Sequence, residues 1–381
     1  MSGRAGRKLQ PFRSVIEATA TYVILALVLS GCVGANPTSN SAKSPVSASP
    51  SASKVLGPIP SGTPVVLYWR SVAPDGLYAA SWSGALYKVP TVNFPLGSLA
   101  VQSPDGSRLA INDTAYDTSS GAATPLPFDA TKGYVGVTWA DDSRHLCLTR
   151  LLPGEGSASE ISFVSPGSPG VVLGSFGTHG QQVPGATVLA CSATSNRVVV
   201  ANVGGLNDSS DVWVLDAATA TIKYHRTYLK PTKTNGNVGV FVVASPDGQY
   251  LAETDAATGS ATIRRIPDDV VVSRLSGMEV HGFSWHGDLV LAAPRQPDFS
   301  IVNSSMANPV VIDWRTSTTI WHSPAGASFG GRLAAQPGGR AIALDLGGAP
   351  HYGIWVVGPD GRGRAVDENI QFLVTVLVGL A

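Results

Sequence analysis

The chain has 381 residues, of which 44% are hydrophobic and only 14% are charged, and it contains 42 glycines and 27 prolines. This composition favours many short strands joined by tight turns and argues against long amphipathic helices. Lysine plus arginine and aspartate plus glutamate number 26 each, so neither a basic excess for nucleic-acid binding nor an acidic excess for cation storage is present.

Residues 1–31 have the features of a secretory signal peptide. Basic residues precede the apolar stretch 22–29, which is too short to span a bilayer comfortably. The tetrapeptide Leu-Ser-Gly-Cys at 29–32 follows, and it resembles the bacterial lipobox, in which the cysteine is lipidated and becomes the mature N-terminus. This resemblance implies an exported protein held by lipid on Cys32 at the outer face of the bacterial cell membrane. An ordinary cleaved signal or an uncleaved anchor is the alternative.

The segment 32–61 begins with Cys32 and is rich in serine, proline and alanine. Such a segment cannot bury enough apolar surface to offset the entropy lost on ordering. We therefore expect a disordered tether that holds residues 62–381 away from the membrane.

A repeated turn organises residues 62–381. In its two clearest copies, Ser103-Pro-Asp-Gly106 and Ser245-Pro-Asp-Gly248, apolar runs lie on both sides. Proline presets φ, aspartate caps its own backbone and glycine takes a left-handed conformation, so each copy predicts a β-hairpin. The mean spacing of about 44 residues matches the roughly 40–45 residues of a propeller blade. Weaker copies lie at 73–76, 140–143, 194–196, 285–287 and 336–339.

A second recurring element follows several of these hairpins, where the third strand of a blade belongs. It starts at Asp211, Val310 and Gly353. Together the two elements resemble the WD40-like propeller repeats of the TolB type, whose blades carry Ser-Pro-Asp-Gly and an aromatic-Val-x-Asp strand. The resemblance covers residues 62–381 and implies an all-β fold, a single β-propeller of seven four-stranded blades, with six or eight as alternatives. A pair of β-sandwiches with coincidental turns is the other reading.

The two ends of the predicted propeller are both apolar. Propellers close their ring by pairing strands from both chain ends, which removes exposed sheet edges. We therefore expect residues 65–69 to pair with the terminal run 370–381, which is too short to span a bilayer.

Motifs that could carry chemistry lack the structural context that they need. Residues 326–330 match the nucleophile-elbow pattern, but no helix is predicted to follow. The glycine-rich segment 358–363 and the acidic segment 207–211 are interpreted as turns. No metal or cofactor site is predicted, since the spacings typical of metal ligands are absent from the sequence.

Four residues in connectors before predicted inner strands are the candidates for a binding surface: Tyr134, His179, Gln182 and His281. His281 is expected where a loop enters an inner strand, near the mouth of the channel, and an exposed loop histidine without a role is the alternative. His281 and His286 flank a strand and should point to opposite faces, which argues against joint metal binding.

The polar positions predicted on inner strands are uncharged, namely Gln102, Thr138, Ser192 and Ser284, and Glu279 is assigned to a loop. Five tryptophans inside apolar runs are expected in the core between blades rather than on a sugar-binding platform: Trp82, Trp139, Trp213, Trp285 and Trp355.

Cys147 lies on a predicted second strand and Cys191 on the first strand of the next repeat. Blades pack face to face, so a disulfide can form in an oxidising compartment if the Cα spacing allows. Two buried thiols are the preferred interpretation, and the disulfide is the alternative.

The functional hypothesis is a non-catalytic cell-envelope platform that binds a protein, peptide or glycan, because propellers present varied loops on a rigid scaffold. The partners are then the membrane, through the lipid anchor, and an envelope component, with no nucleic acid. An extracytoplasmic hydrolase of glycosidase or lactonase type is the first alternative. A regulatory partner of a transporter or sensor is the second.

The lipobox assignment predicts that Cys32 incorporates labelled fatty acid and that the protein partitions into detergent. The Cys32→Ala variant should lose the fatty-acid label, because the side chain that carries the lipid is removed. Labelling that persists in this variant would refute the assignment.

Overall fold

In the computed structural model of the protein, the described residues are 55–70, 76–90, 100–126, 134–152, 158–165, 168, 170–176, 186–202, 210–228, 240–255, 259–266, 268–294, 307–347, 353–367 and 375–377. The chain divides into two compact units, Met1–Ser49 and Pro50–Ala381, and every described residue belongs to the second. The predicted signal peptide and Cys32 lie outside the described residues. Every regular element within these ranges is a β-strand, and no helix there could cross a membrane.

The strands form a seven-bladed β-propeller, as predicted, and six of its blades use four consecutive strands hydrogen-bonded in chain order. Blade 1 contains β5 (Ala100–Gln102), β6 (Arg108–Ile111), β7 (Thr114–Asp117) and β8 (Ala123–Pro125). Blade 2 contains β9 (Tyr134–Trp139), β10 (Leu146–Leu151), β11 (Ser159–Val164) and β12 (Val171–Phe176). Blade 3 contains β13 (Thr187–Ser192), β14 (Arg197–Asn202), β15 (Ser210–Asp216) and β16 (Ile222–Tyr228).

The next three blades repeat this order. Blade 4 contains β17 (Val240–Ala244), β18 (Tyr250–Asp255), β19 (Ser260–Arg265) and β20 (Val270–Leu275). Blade 5 contains β21 (Met278–Phe283), β22 (Leu289–Pro294), β23 (Val310–Asp313) and β24 (Thr318–His322). Blade 6 contains β25 (Ser328–Ala335), β26 (Ile342–Gly347), β27 (Gly353–Val357) and β28 (Gly363–Asp367). The first strands of successive blades contact one another and surround the axis, and the predicted third strands are β15, β23 and β27.

Blade 7 joins the two ends of the propeller and confirms the predicted closure. From the N-terminal side it takes β2 (Val65–Arg70), β3 (Gly76–Ser81) and β4 (Leu86–Lys88). Its innermost strand is β29 (Thr375–Leu377), which runs antiparallel to β2. The edge of β2 is therefore covered by a strand from the opposite end of the chain.

The propeller begins earlier than the predicted boundary at residue 62. A short strand, β1 (Val55–Leu56), lies parallel to β4 and adds a fifth strand to blade 7. Ile59 is buried in the apolar cluster between blades 7 and 1. The predicted boundary at residue 62 is therefore too late, since an apolar pair and one isoleucine in a polar segment give too weak a pattern for recognition.

The hydrophobic core consists of clusters between blades rather than one central mass. Seven clusters of described residues are present, one at each boundary between neighbouring blades. Strand β14 shows how they arise, because Val198 and Val200 face blade 2 while Val199 and Ala201 face blade 4. Both faces of this strand are covered, so residues 198–201 form a continuous apolar run without polar alternation.

Hydrogen bonds inside the turn explain the Ser-Pro-Asp-Gly motif. The Ser103 hydroxyl donates to Asp105 Oδ1 at 2.8 Å and accepts from the Arg108 amide at 2.9 Å. Asp105 Oδ1 also accepts from the Ser107 amide at 2.9 Å. The turn between the first two strands of a blade is thus closed by its own side chains, as expected for such residues.

The fourth position of this turn has a positive φ in both strong copies and in three weak ones. Gly106, Gly248 and Gly287 have φ of 71°, 65° and 67°, in the left-handed region that glycine enters without penalty. Ser143 and Asn196 adopt the same conformation in the weaker copies of blades 2 and 3, with φ of 57° and 54°. These three weak copies were therefore recognised correctly as turns of the same kind, whereas in the copy at 336–339 the positive φ belongs to the third residue, Gly338.

One predicted copy of the turn does not connect the first two strands of a blade. Residues 73–76 fall in the sequence between β2 and β3, the second and third strands of blade 7; Gly76 is the first residue of β3, and 73–75 lie outside the described residues. Blade 7 has no hairpin between its first two strands, since the first comes from the C-terminus. The blade count was therefore right, although one of the seven counted turns was wrongly assigned.

We expect Ser245→Ala to lower the free energy of unfolding by about 1–2 kcal/mol, because a buried hydrogen-bond network loses its centre. The Ser245 hydroxyl donates to Asp247 Oδ1 at 2.6 Å and accepts from the Tyr250 amide at 2.9 Å. Ser159→Ala is the matched control, since this buried hydroxyl has no hydrogen-bond partner among the described residues. Equal losses for the two variants in urea unfolding would contradict the role given to the turn.

Candidate functional site

A cavity of about 270 Å³ lies beside the propeller axis. Its walls come from the first strands of blades 2 to 6, β9, β13, β17, β21 and β25, and from turns that follow first strands. Five aromatic side chains contribute to this lining: Trp139, Phe241, Phe283, Trp285 and Phe329. With Pro104 from the turn after β5, the cavity combines residues from six blades into one largely apolar site, which is the usual character of a ligand pocket.

His281 is the one predicted binding residue whose side chain the structure places in this cavity. It lies within β21 rather than in a loop, between the rings of Phe241 and Phe329, with centroid distances of 6.1 and 5.5 Å. Its Nε2 is buried without a hydrogen-bond partner among the described residues, and burial lowers the pKa of His281 to about 4. The side chain is therefore a neutral part of an aromatic wall at pH 7, not an exposed loop histidine.

The structure does not bring the other candidates together. Tyr134 begins β9, while His179 and Gln182 lie outside the described residues. Glu279 was assigned to a loop but belongs to β21. His286 is exposed in the turn after β21, so joint metal binding with His281 receives no support.

The uncharged inner-strand residues have mainly structural contacts. Gln102 Oε1 accepts from the Leu67 amide at 2.6 Å and so ties blade 1 to blade 7. The Ser284 hydroxyl donates to Asp288 Oδ1 at 2.7 Å within a turn. Thr138 alone of the four predicted positions lines the cavity.

Asp141 is the carboxylate among the described lining residues of the cavity, and its oxygens already accept hydrogen bonds from blade 3. Its Oδ1 accepts from the amides of Ala193 at 2.8 Å and Thr194 at 3.1 Å. Its Oδ2 accepts from the Ser192 hydroxyl at 2.7 Å. Three hydrogen bonds occupy its oxygens, so Asp141 joins two neighbouring turns and is poorly placed to act on a ligand.

A bulge in β25 is the functional feature that the sequence analysis missed. Phe329 pairs with Leu346 and Leu333 pairs with Leu344, so the three residues 330–332 all lie opposite Asp345. All three bulge residues are exposed, and Gly331 and Arg332 line the cavity. Bulges redirect side chains and are frequent beside active sites. Two adjacent glycines in an inner strand, Gly330 and Gly331, were the sequence signal that could have indicated this bulge.

The bulge is held from behind by a buried carboxyl group. Asp345 Oδ1 accepts from the Arg332 amide at 3.0 Å. A Cβ at Gly330 would lie only 2.8 Å from Asp345 Cγ, so glycine permits this close approach. Burial raises the pKa of Asp345 to about 6, against the smaller opposing effect of the Arg332 amide and charge. An acidic residue within the apolar run 342–347 was the sequence signal for this site.

Cys147 and Cys191 form a disulfide, so the preference for two thiols was wrong. Their Cα atoms are 6.0 Å apart, within the range that a disulfide requires. The bond connects β10 of blade 2 to β13 of blade 3, and Cys191 also lines the cavity. The bridge therefore fixes one wall of the cavity to the neighbouring blade.

The sequence motifs at 326–330 and 358–363 do not form catalytic arrangements in the structure. Ser328 begins the strand β25, so the pattern at 326–330 does not form a nucleophile elbow. Residues 358–363 form the predicted turn, with the Gly361 amide donating to the Gly358 carbonyl at 3.1 Å. No group of three potential metal ligands occurs among the described residues.

Tryptophans divide between core and cavity. Trp82, Trp213 and Trp355 pack against clusters between blades, as predicted. Trp139 is also buried in such a cluster, but it lines the cavity as well. Trp285 lies at the cavity, which corrects its assignment to the core.

Comparison with known proteins finds distant structural similarity alone. No protein-family profile matches the chain, and no curated protein sequence matches it. A β-propeller domain from Myceliophteria thermophila is 12% identical, with a TM-score of 0.42, over 77% of this chain and 95% of that chain. TolB from Acinetobacter baumannii is 11% identical, with a TM-score of 0.38, over 70% of this chain and 61% of that chain.

An oligogalacturonate lyase in complex with manganese is 11% identical, with a TM-score of 0.45, over 71% of this chain and 79% of that chain. The seven blades of the structure, rather than these similarities, confirm the predicted β-propeller.

The disulfide predicts a mass two hydrogens lower without reductant than with it. Replacing both Cys147 and Cys191 with alanine should lower the free energy of unfolding by about 2–4 kcal/mol, because a cross-link that restricts the unfolded chain is lost. Reductant should destabilise the wild type by a similar amount and leave the double variant unchanged. Two free thiols in the purified, unreduced protein would contradict the bridge.

Proposed function

We propose that the protein is a non-catalytic binding platform of the bacterial cell envelope, with its central cavity as the ligand site. The observation that supports this function best is a lining with aromatic side chains from four different blades. Apolar walls with few polar groups favour capture of a ligand by burial rather than chemical attack on it. Protein, peptide and glycan were the ligand classes expected from the sequence. The small cavity favours one side chain or ring system over an extended chain.

Export and lipid anchoring at Cys32 belong to the same proposal. The disulfide between Cys147 and Cys191 supports it, because stable disulfides are typical of proteins in oxidising compartments outside the cytoplasm. The signal-like residues 1–31 supply the route of export, and lipid on Cys32 would hold the propeller at the membrane.

A hydrolase of glycosidase or lactonase type is the second candidate function, and Asp345 is the observation that favours it. A buried carboxyl group with a pKa raised to about 6 is characteristic of a general acid. A glycosidase, however, needs a second carboxylate roughly 5–10 Å away in the same pocket. Asp141, the carboxylate of the described lining, is occupied by three hydrogen bonds. Binding is therefore the better-supported function.

Phe241→Ala should weaken retention of the envelope ligand about tenfold, because Phe241 is 47% exposed and lines the cavity. Ile222→Ala is the matched control, since Ile222 is 55% exposed on the outer strand β16. Retention is measured by cross-linking to cell-envelope extracts. The same cross-linked envelope component is quantified for the wild type and for both variants.

The wild type should also leave chromogenic glycosides, esters and lactones intact, with or without Ca²⁺. Turnover of any of these substrates that disappears in Asp345→Asn would overturn the platform and establish the hydrolase. Equal retention by the Phe241 and Ile222 variants would instead remove the cavity from ligand binding.

A further inference from the structure

The charged side chains of the cavity wall are already engaged within the protein, and this restricts the ligand. Two of them occur among the described lining residues, Asp141 and Arg332. The oxygens of Asp141 accept three hydrogen bonds from blade 3, and Arg332 also has an interaction partner. His281 is neutral at pH 7, because burial lowers its pKa to about 4. A charged ligand would therefore lose its hydration without finding an unpaired counter-charge among these residues.

Irregular pairing in two inner strands supplies uncharged side chains to the cavity wall. In β21, His281 has no paired residue, because its two neighbours pair with consecutive residues of β22. In β13, Leu189 is left unpaired against β14 in the same way. A bulge of this kind redirects a side chain, and both residues line the cavity. The backbone thus adds one neutral ring and one aliphatic side chain to the wall.

The ring of His281 belongs to a contact of three rings from consecutive blades. It lies between Phe241 of blade 4 and Phe329 of blade 6, at centroid distances of 6.1 and 5.5 Å. Both distances lie within the roughly 4.5–7 Å of favourable aromatic pairs. Phe241 is 47% exposed, so part of its ring surface is available to a ligand.

We propose that the cavity binds an uncharged aromatic ring, held against the rings of Phe241, His281 and Phe329. The inference rests on the proposed binding function and names the ligand class. Aromatic pairs are favourable beyond the area that they bury, and an uncharged ring needs no counter-charge. The cavity volume of about 270 Å³ exceeds the roughly 150 Å³ that holds benzene but lies below the range of larger ligands. One ring with a short substituent therefore fits.

This chemistry has two sources, a free small molecule and an aromatic side chain of a peptide. Calorimetric titration of the full chain at pH 7.5 separates them with two series of probes. Benzyl alcohol, benzoate and benzylammonium form the free series, whose members differ mainly in charge. The peptide series is acetyl-glycyl-X-glycinamide, in which X is phenylalanine, 4-carboxyphenylalanine or 4-aminomethylphenylalanine. The series with the tighter uncharged member identifies the source.

We expect the uncharged member of at least one series to bind about tenfold or more tightly than both charged members. The comparison uses the wild type alone, so it does not depend on the folding of a variant. A charged member that binds as tightly as the uncharged one in both series would overturn the inference. Failure of all six probes to bind would also overturn it.

Variants of His281 test the place of the ring. His281→Phe keeps an uncharged ring in the wall and should retain the preference for the uncharged probe. His281→Lys puts a cation there and should raise the affinity for the anionic probe, relative to the uncharged one, about tenfold or more. His286→Ala is the control, since His286 is exposed in the turn after β21 and is not among the described lining residues. Melting temperatures confirm that the variants are folded.

An unchanged order of affinities in folded His281→Lys would put the ring elsewhere and overturn the inference, while leaving the binding platform in place. The cross-linking comparison of Phe241→Ala with Ile222→Ala judges the platform separately, because it uses the envelope ligand itself.

Discussion

Packing between neighbouring blades is the interaction on which the rest of the propeller depends. Every sheet has apolar residues on both faces, and each face is covered by the adjacent blade. A blade on its own would expose both surfaces, so the fold requires a complete ring. The two clusters on either side of blade 7 complete the ring. Within that blade, the pairing of β2 with β29 joins the two ends of the propeller.

The ring also creates the cavity and limits what can line it. First strands converge on the axis, and their alternate residues belong to the clusters between blades. Few positions are left for polar groups, and those present are used in turns or between blades, as Gln102 and Asp141 are. The bulge in β25 avoids this limit, because its extra residues leave the regular pairing and need not serve either neighbouring cluster. Arg332 can therefore reach the cavity without removing an apolar residue from the core.

Local patterns predicted the blades and their hairpins, because each depends on residues close together in the chain. The closure joins the two chain ends, so it was expected from the propeller architecture and not from a local pattern. The Ser-Pro-Asp-Gly turn closes on its own side chains, so four residues were enough to recognise it. The cavity could not be found in this way, since its wall unites strands from five blades and depends on their spacing in three dimensions. The disulfide was left open for the same reason, because the distance between Cys147 and Cys191 is set by blade packing. His281 was expected in a loop but lies within β21, and its aromatic neighbours come from β17 and β25.

The position of the disulfide connects stability to the proposed site. Cys191 lies in the cavity wall, while Cys147 lies on the second strand of the preceding blade. Asp141 joins the same two blades through the turn at the end of their first strands. Blades 2 and 3 are thus fixed to each other by a covalent bond and by charge-assisted hydrogen bonds on one side of the cavity. The bulge of β25 lies in blade 6, and it is held by the hydrogen bond from the Arg332 amide to the buried Asp345 carboxyl group. The two sides of the cavity are thus held by different means, a covalent bond with charge-assisted hydrogen bonds between blades 2 and 3 and a backbone hydrogen bond to a buried carboxyl group within blade 6.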